Sequence, residues 1–464
     1  MKKLSTVFIR DEWLLLGVAL FIYFAGIWDQ SMPTPDGAHR ASMAREVLER
    51  ATWFPIYYQG HALADHPPLY VWLVALVFKL FGVGDLQFIM VNRVLVTIGV
   101  LLLYFAGKSI FEKKGQALFA CLMLLVTVGF YQGSVAGNIE PLLNIFLIGA
   151  FLSWCRFRKK AKPIYAILCS SAVIMAFLTK GMVALWPFVF FGWKFLQKSS
   201  RRHAASFFVP LFLFYISLVF LARGEVFGDF LKRYLSEQVL NSMVEGREES
   251  NSFDFLFYFR VLVRQYWPVL PLFVLAVRRL RIADWVGGLE RDALIFGLGF
   301  FAGFSMAHFK LDYYVQPSFA FFAVFTAAYT FKIVERQWSR WRVGILIASG
   351  IFFAFVSLFG PKLHKNRTPE VEYFSQTILT KRDLPIVLSR TPNDDNRLQK
   401  KFHWTLNQRT VRIPHYYKFE EAIFTDAWVL TNRKDFEACP FNWCHQSKVV
   451  ADDGKTILLL RTID

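Results

Sequence analysis

Acidic residues are scarce in this chain: 35 Asp and Glu stand against 53 Lys and Arg, a formal net charge of +18. Such an excess would suit a nucleic-acid binder. The basic residues, however, gather in short loops between apolar runs, where the positive-inside rule puts them. Nucleic acid is therefore excluded as a partner, and membrane lipids with acidic headgroups, and phosphates, take its place. Cysteine is scarce too, with five residues in 464. Cys121, Cys155 and Cys169 lie in apolar runs and read as inert small hydrophobes. Cys439 and Cys444 frame C-P-F-N-W-C in the polar tail and can form a disulfide if that tail is extracytoplasmic. No second cysteine pair accompanies them, which disfavours a metal site there. A small-residue cleavage site is missing after the first apolar run, Trp13 to Trp28, which follows Lys2, Lys3 and Arg10. That run reads as an uncleaved first span. Internal repeats and low-complexity tracts are also lacking.

Apolar bulk is what the chain has instead: it is 55% hydrophobic and 18% aromatic, with 51 Phe. Apolar runs of about 16 to 22 residues are separated by short basic loops, the pattern of an all-α polytopic membrane protein. With the N-terminus inside, the first span exits near Asp29 and Asp36 to His66 lies outside. From Gly37 to Ala51 the pattern predicts an amphipathic helix on the membrane surface. Ala41, Ala44, Val47, Leu48 and Ala51 form its apolar stripe, and Arg45, Glu46, Glu49 and Arg50 face elsewhere. Asp36 is placed to cap it.

Pro67 to Phe81 is apolar but only about 15 residues long, marginal for a hydrocarbon core of about 30 Å. Charge parity decides its path. If it does not cross, Lys108 to Lys114, Arg156 to Lys162, Lys194 to Arg202, Arg278 to Arg281 and Lys332 to Arg342 all fall inside. If it crosses, all fall outside. It is therefore predicted as a half-buried or re-entrant outer-side helix begun by the Pro-Pro pair. Further spans are predicted at 88–110, 116–132, 141–157, 163–179, 182–197, 204–222, 262–279, 292–307, 318–335 and 342–359. With the first, that is about eleven transmembrane helices, which sends the tail outside. Residues 1–360 then form a membrane domain and 361–464 a small C-terminal α/β domain. Strands are predicted at Leu384 to Leu388, Ala427 to Leu430 and Lys448 to Leu460, the last with a hairpin turn at Asp453-Gly454.

The ionisable residues that packing does not need collect on the outer side. Asp36 lies where the chain leaves the bilayer, and Asp65-His66-Pro67-Pro68 opens the short helix. Glu140 precedes Pro141 at a span mouth. Lys180 in L-T-K-G and Lys310 in H-F-K-L-D-Y-Y-V-Q-P sit at outer span ends. Each has a bland reading alone, as helix cap or snorkelling lysine. Together, acids, histidines and lysines on one face suit a phosphorylated lipid substrate, the cations holding phosphate and a carboxylate working at the acceptor or a metal.

The order of these motifs resembles the GT-C fold lipid-linked sugar transferases, in particular the aminoarabinose transferase (ArnT-like) and protein O-mannosyltransferase families. Those families place an acid after the first span, then an amphipathic helix, an acid–x–Pro–Pro–Leu stretch, an acid before the fourth span, T-K-G, and K-L-x-x-Y-x-x-P. Here these are Asp36, D-H-P-P-L from Asp65, Glu140, T-K-G from Thr179 and K-L-D-Y-Y-V-Q-P from Lys310, over roughly the first 330 residues. The resemblance implies Asp36, Asp65 and Glu140 as catalytic acids and Arg40, His66, Lys180 and Lys310 as donor phosphate ligands. It leaves room for a divalent metal ion, with Asp65 and His39 as candidate ligands. The chain departs from the pattern at several points. His39 fills the arginine slot of the first motif, with Arg40 one place later, and His66 replaces the lysine before Pro-Pro. In Y-L-S-E-Q-V from Tyr234, Gln238 stands where the family has a histidine, which removes a metal ligand.

The resulting expectation is an inverting glycosyltransferase of a bacterial inner membrane, with its active site and C-terminal domain periplasmic. It would take a sugar from a polyprenyl-phosphate donor to a lipid, such as lipid A or another envelope glycan, or to a protein. A transporter or flippase of lipid-linked substrate is the rival, but it should line both sides of a midplane pathway and carry inverted repeats. A non-catalytic scaffold would leave Asp36, Asp65 and Lys310 without a shared purpose.

Overall fold

The structure is a computed structural model and describes residues 10–25, 27, 34–64, 66–240, 254–280, 288–308, 310–363, 369–378, 384, 386–389, 400–402, 404–406, 416–418, 426–437, 446–454 and 456–462. Asp65, Cys439 and Cys444 lie outside the described residues, and with them the metal and disulfide assignments made for those side chains.

The fold is mostly helical. The first helices are α1 (Asp11–Tyr23), α2 (Pro35–Glu49), α3 (Leu69–Phe81), α4 (Asp85–Ile110), α5 (Gln116–Leu125) and α6 (Val128–Val135). They continue as α7 (Glu140–Lys160), α8 (Pro163–Lys180), α9 (Leu185–Leu196), α10 (Ala204–Leu221) and α11 (Glu225–Arg233). Later helices include Phe257–Tyr266, Leu270–Arg279, Leu289–Ser305, Gln316–Thr330 and Trp338–Leu363. Proline stands in the first turn of α2, α7 and α8, where its missing N–H leaves no bond unmade.

Charged contacts order the bundle from end to end. At one end Arg342 pairs with Asp11 at 2.8 Å, Lys108 with Glu12 at 2.9 Å and Lys113 with Glu335 at 2.6 Å. Lys194 pairs with Asp292 there, and Trp154 Nε1 donates to the same carboxylate at 2.8 Å. At the other end Lys180 Nζ donates to Glu140 Oε1 at 2.5 Å. Lys180 therefore meets the start of α7, while Phe195 packs edge-on to Trp154, near the end of α7, at 5.3 Å. The chain must fold back between α8 and α9, and it does so at Gly181, whose φ is +57°.

Among the described residues, four helical segments are long and apolar enough to cross a membrane, or up to six if two bent pairs each count as one span. One of the four, Pro163–Leu196, covers 34 residues and takes in predicted span 163–179 and all but the last residue of 182–197. Two of the predicted spans, 116–132 and 262–279, fall on bent helix pairs. The break between α5 and α6 is 66° and falls where Thr127 Oγ1 donates back to Met123 O at 2.9 Å, an alternative partner that bends helices. The break between Phe257–Tyr266 and Leu270–Arg279 is 111°, at Pro268, which has no N–H to continue the ladder. Large side chains on α10 such as Phe212, Leu213, Tyr215 and Phe220 are exposed. An apolar surface of that kind fits a membrane protein.

The short helix α3 has 13 residues, about 20 Å of length, and so does not reach across a core of about 30 Å. Helix α2 departs from expectation in part. Glu49 and Arg50 are exposed as predicted, but Arg45 and Glu46, expected on the same polar face, are buried, as is Arg40. The buried part of that face is covered from two sides. The aromatic link folds into a hairpin of β1 (Tyr57–Tyr58) and β2 (His61–Ala62), whose turn amides Gln59 N and Gly60 N donate to the Glu46 carboxylate at 2.5 and 3.2 Å. On the other side Arg45 Nη1 donates to Trp404 O at 3.3 Å, with its guanidinium 5.4 Å from the Trp404 ring centroid.

The C-terminal region carries a five-stranded sheet in the order β4-β3-β5-β7-β6. These are β3 (Ile386–Ser389), β4 (Tyr416–Lys418), β5 (Ala427–Asn432), β6 (Lys448–Asp452) and β7 (Thr456–Arg461). Strand β3 is parallel to β4 and β5, and β5, β7 and β6 are antiparallel. The three predicted strand regions are present, and the β6–β7 hairpin turns at Asp453-Gly454. Phe374, Ile386, Phe402, Trp428, Leu430 and Leu458 form a core separate from that of the helical bundle.

The start of α2 is pressed against the turn before α7. Gly137 has φ +75°, and a Cβ there would lie 2.7 Å from Phe88 Cε1 and 3.2 Å from Gly37 Cα. Gly137→Ala is expected to cost about 1–3 kcal/mol of stability, read as a lowered thermal midpoint of the detergent-solubilised protein. An unchanged midpoint would show that the turn accommodates a side chain.

Candidate active site

Thr34 caps α2, not Asp36. Its Oγ1 accepts from Gly37 N at 3.0 Å and donates to Ala136 O at 2.6 Å. One hydroxyl thus caps the helix and ties it to the turn before α7. Asp36 is released from capping and turns its carboxylate to the bundle end.

That carboxylate has partners from two distant segments. Tyr313 Oη donates to Oδ2 at 3.3 Å, and Lys400 Nζ pairs with Oδ1 at 3.2 Å. Tyr313 lies in the 3-10 turn Asp312–Val315 that leads into Gln316–Thr330. Burial alone would raise the pKa of Asp36. The charges of Arg40 and Lys400, the hydrogen bond from Lys400 and the charge of His39 outweigh it and bring the carboxyl from 3.8 down to about 2. Burial acts the same way on Tyr313, and there the Asp36 charge beside it reinforces the effect and pushes the hydroxyl up. Tyr313 therefore stays a donor at neutral pH.

One turn along α2, Arg40 is buried and donates from Nη1 to Asn138 Oδ1 at 3.3 Å, while its Nε meets no partner among the described residues. Burial disfavours its charge, but Asp36 first, then Tyr313 and Glu140, raise its pKa. Arg40 and His66 line one small pocket, walled by Met43, Ile56, Tyr70 and Ile139. Two predicted phosphate ligands therefore share a cavity. Glu140 and Lys180 also come together, but with each other. Their ion pair is buried, with the ammonium 4.2 Å from the Tyr314 ring centroid. Glu140 Oε2 has no hydrogen-bond partner among the described residues.

Gly181, after Lys180, is required: a Cβ there would fall 1.8 Å from Tyr234 Oη, which accepts from Met182 N at 3.2 Å. Lys310 donates to Ala307 O at the end of Leu289–Ser305. His39 packs edge-on against Tyr58 at 4.2 Å. Among the described residues, no three His, Cys, Asp or Glu side chains converge on a point that could hold a metal ion; Asp65, the expected partner ligand of His39, lies outside them.

Four residues escaped the sequence reading. Asn138 and Tyr313 sit inside quoted motifs but carry no pattern of their own. Tyr314 is the tyrosine of K-L-x-x-Y. Lys400 had no signal at all, being one basic residue in a mixed tail.

Comparison with known proteins places this geometry. A family profile described as dolichyl-phosphate-mannose-protein mannosyltransferase matches residues 65–223. A protein of Aquifex aeolicus, itself uncharacterized, is 24% identical over 328 residues, which is 68% of this chain and 62% of that one. The undecaprenyl phosphate-alpha-4-amino-4-deoxy-L-arabinose arabinosyl transferase of Edwardsiella ictaluri is 23% identical over 349 residues, 72% of this chain and 62% of that one. The chain thus spans less than two thirds of the length of either relative. The crystal structure of ArnT from Cupriavidus metallidurans matches with a TM-score of 0.71 in the apo state and 0.68 bound to undecaprenyl phosphate. Each covers 96% of this chain and 97% of that one at 14% identity, a likeness of fold. The families whose motifs the sequence resembles are those that these comparisons return.

Two outcomes follow from the site's charges. Glu140→Gln strands the buried Lys180 charge and is expected to cost about 3–5 kcal/mol. Adding Lys180→Met should recover most of it, as read by thermal unfolding of both variants. Asp36 titrates lower in the fold than its ordinary 3.8. Its ionised form therefore adds stability above about pH 4, and this is lost as pH falls toward about 2. Asp36→Asn should flatten the acid slope of stability in that window. An unaltered slope would mean that Asp36 is not held by its neighbours.

Proposed function

We propose that the chain is an inverting GT-C glycosyltransferase of a bacterial inner membrane, moving a sugar from a polyprenyl-phosphate donor to an acceptor on the periplasmic side. The observation that carries this reading is Asp36, ionised and ringed by Arg40, Tyr313 and Lys400 at one end of an apolar bundle. The fold likeness to ArnT supports it. About eleven crossings, and residues 361–464 as a periplasmic domain, belong to the same proposal.

The acceptor oxygen attacks the anomeric carbon of the sugar from the face opposite the phosphate. The bond from that carbon to the phosphate oxygen breaks and its electron pair stays on the oxygen, so polyprenyl phosphate leaves. Arg40 and His66, which line one small cavity, hold the phosphate at its mouth, the Lys180–Glu140 pair keeps the neighbouring helix ends in place, and Lys310 borders the donor. The apolar helix faces take the prenyl chain. If the nucleophile is a phosphate oxygen, no proton need move. If it is a hydroxyl, its proton passes to the Asp36 carboxylate. The cations beside Asp36 hold its carboxyl below its ordinary value, which weakens it as a base while they stay in place. Asp36 then acts by orienting the acceptor and by its charge, which favours positive charge developing on the sugar. A divalent ion, if bound, would be held by Asp65 and His39 and would add positive charge at the leaving phosphate.

The test is a transfer assay in membranes lacking the native protein, comparing wild type with Asp36→Asn. The expected result is a mass shift in lipid A, or in an envelope glycan or protein, that falls at least about 100-fold in the variant. Wild-type activity in Asp36→Asn would refute the assignment. Absence of any wild-type shift would favour a flippase.

A further inference from the structure

We infer that Lys400, carried to the site by the C-terminal region, is a phosphate-binding residue of the transfer, exchanging the Asp36 carboxylate for the phosphate of the lipid-linked donor. This rests on the glycosyltransferase reading.

Three observations carry it. Lys400 reaches the site on a built anchor. Trp404, one helical turn later and 1% exposed, donates to Asp85 Oδ1 at 2.5 Å, stacks on Phe78 at 5.9 Å and gives its carbonyl to Arg45. A lysine in a solvated tail has no use for such docking.

The second observation is which cation is free to move. Lys180 cannot leave Glu140 without stranding two buried charges, which is strongly unfavourable. Arg40 is buried and tied to Asn138. The Lys400–Asp36 pair is half-exposed, with 21% of the lysine and 40% of the carboxylate side chain accessible. Such pairs hold weakly, so a phosphate, with more charge and three acceptor oxygens, can take the ammonium.

The third observation is position. The groups facing Asp36 are Arg40 and His39 from its own helix, Tyr313 from the turn opposite and Lys400 from the C-terminal region, with Glu140 behind Arg40. Lys400 thus stands beside the carboxylate, within one side-chain swing of a phosphate held by Arg40. When it swings, Asp36 loses a cation and becomes more basic as substrate arrives.

The experiment uses the full chain in nanodiscs, wild type against Lys400→Met and Lys400→Arg. Binding of polyprenyl phosphate, of polyprenol and of inorganic phosphate is followed by intrinsic fluorescence, and transfer by KM, kcat and pH profile. Lys400→Met should weaken polyprenyl phosphate binding about 10-fold or more, leave polyprenol binding unchanged and raise KM. It should also move the acid limb of the transfer profile to higher pH, and Lys400→Arg should restore most of the affinity. Equal polyprenyl phosphate affinity in wild type and Lys400→Met would overturn the inference while leaving the enzyme reading intact. Lys400-dependent binding of inorganic phosphate without binding of the polyprenyl phosphate would overturn the assignment to the carrier. A wild-type protein that binds the carrier but transfers nothing still decides Lys400 through the binding arm. One that neither binds nor transfers would refute the enzyme reading and this inference with it.

Discussion

A charge inside a low-dielectric bundle must find its opposite or neutralise, and two such pairs set the order of this structure. Glu140 with Lys180 closes one end of α7 against α8. Asp292, taking Lys194 and Trp154, closes the other end of α7 against α9 and the helix Leu289–Ser305. Sliding α8 by one turn would separate two buried charges by about 5 Å, so each pair fixes register as well as contact. Apolar packing among the many Phe rings fills the bundle but has no comparable preference for one register.

The candidate site grows from the end that Glu140 closes. The turn before α7 is held by Gly137, tight against Gly37, and by Thr34 on the carbonyl of Ala136. That clasp aims α2 so that Asp36 and Arg40, four residues apart, both face the bundle end. The same helix uses its other polar side chains to recruit cover. Glu46 folds the β1–β2 turn, and Arg45 holds Trp404. Buried polar groups on α2 therefore do the assembling, and one of the pieces they assemble brings Lys400 to Asp36.

Legibility followed range along the chain. Helix bounds, the strands of the tail and the Asp453-Gly454 turn were readable because apolar period, Pro placement and turn chemistry act within a few residues. The bends at Thr127 and Pro268 were not foreseen, although both breakers were visible, since a long apolar run reads as one span whether straight or broken. Helix α2 was read as amphipathic from its pattern alone. Its partners, a hairpin eight residues on and a tryptophan more than three hundred residues away, leave no mark in that pattern.

From the sequence came the membrane class and the acids and cations at Asp36, Arg40, His66, Glu140 and Lys180. All of these depend on composition and on local order along the chain. Only the tertiary structure decided how they divide. Glu140 and Lys180 bind each other, Arg40 and His66 share a pocket, and Asp36 is claimed by Tyr313 and Lys400. Pairing among charges is set by distances across the fold, and a burial that excludes water turns those distances into free energy.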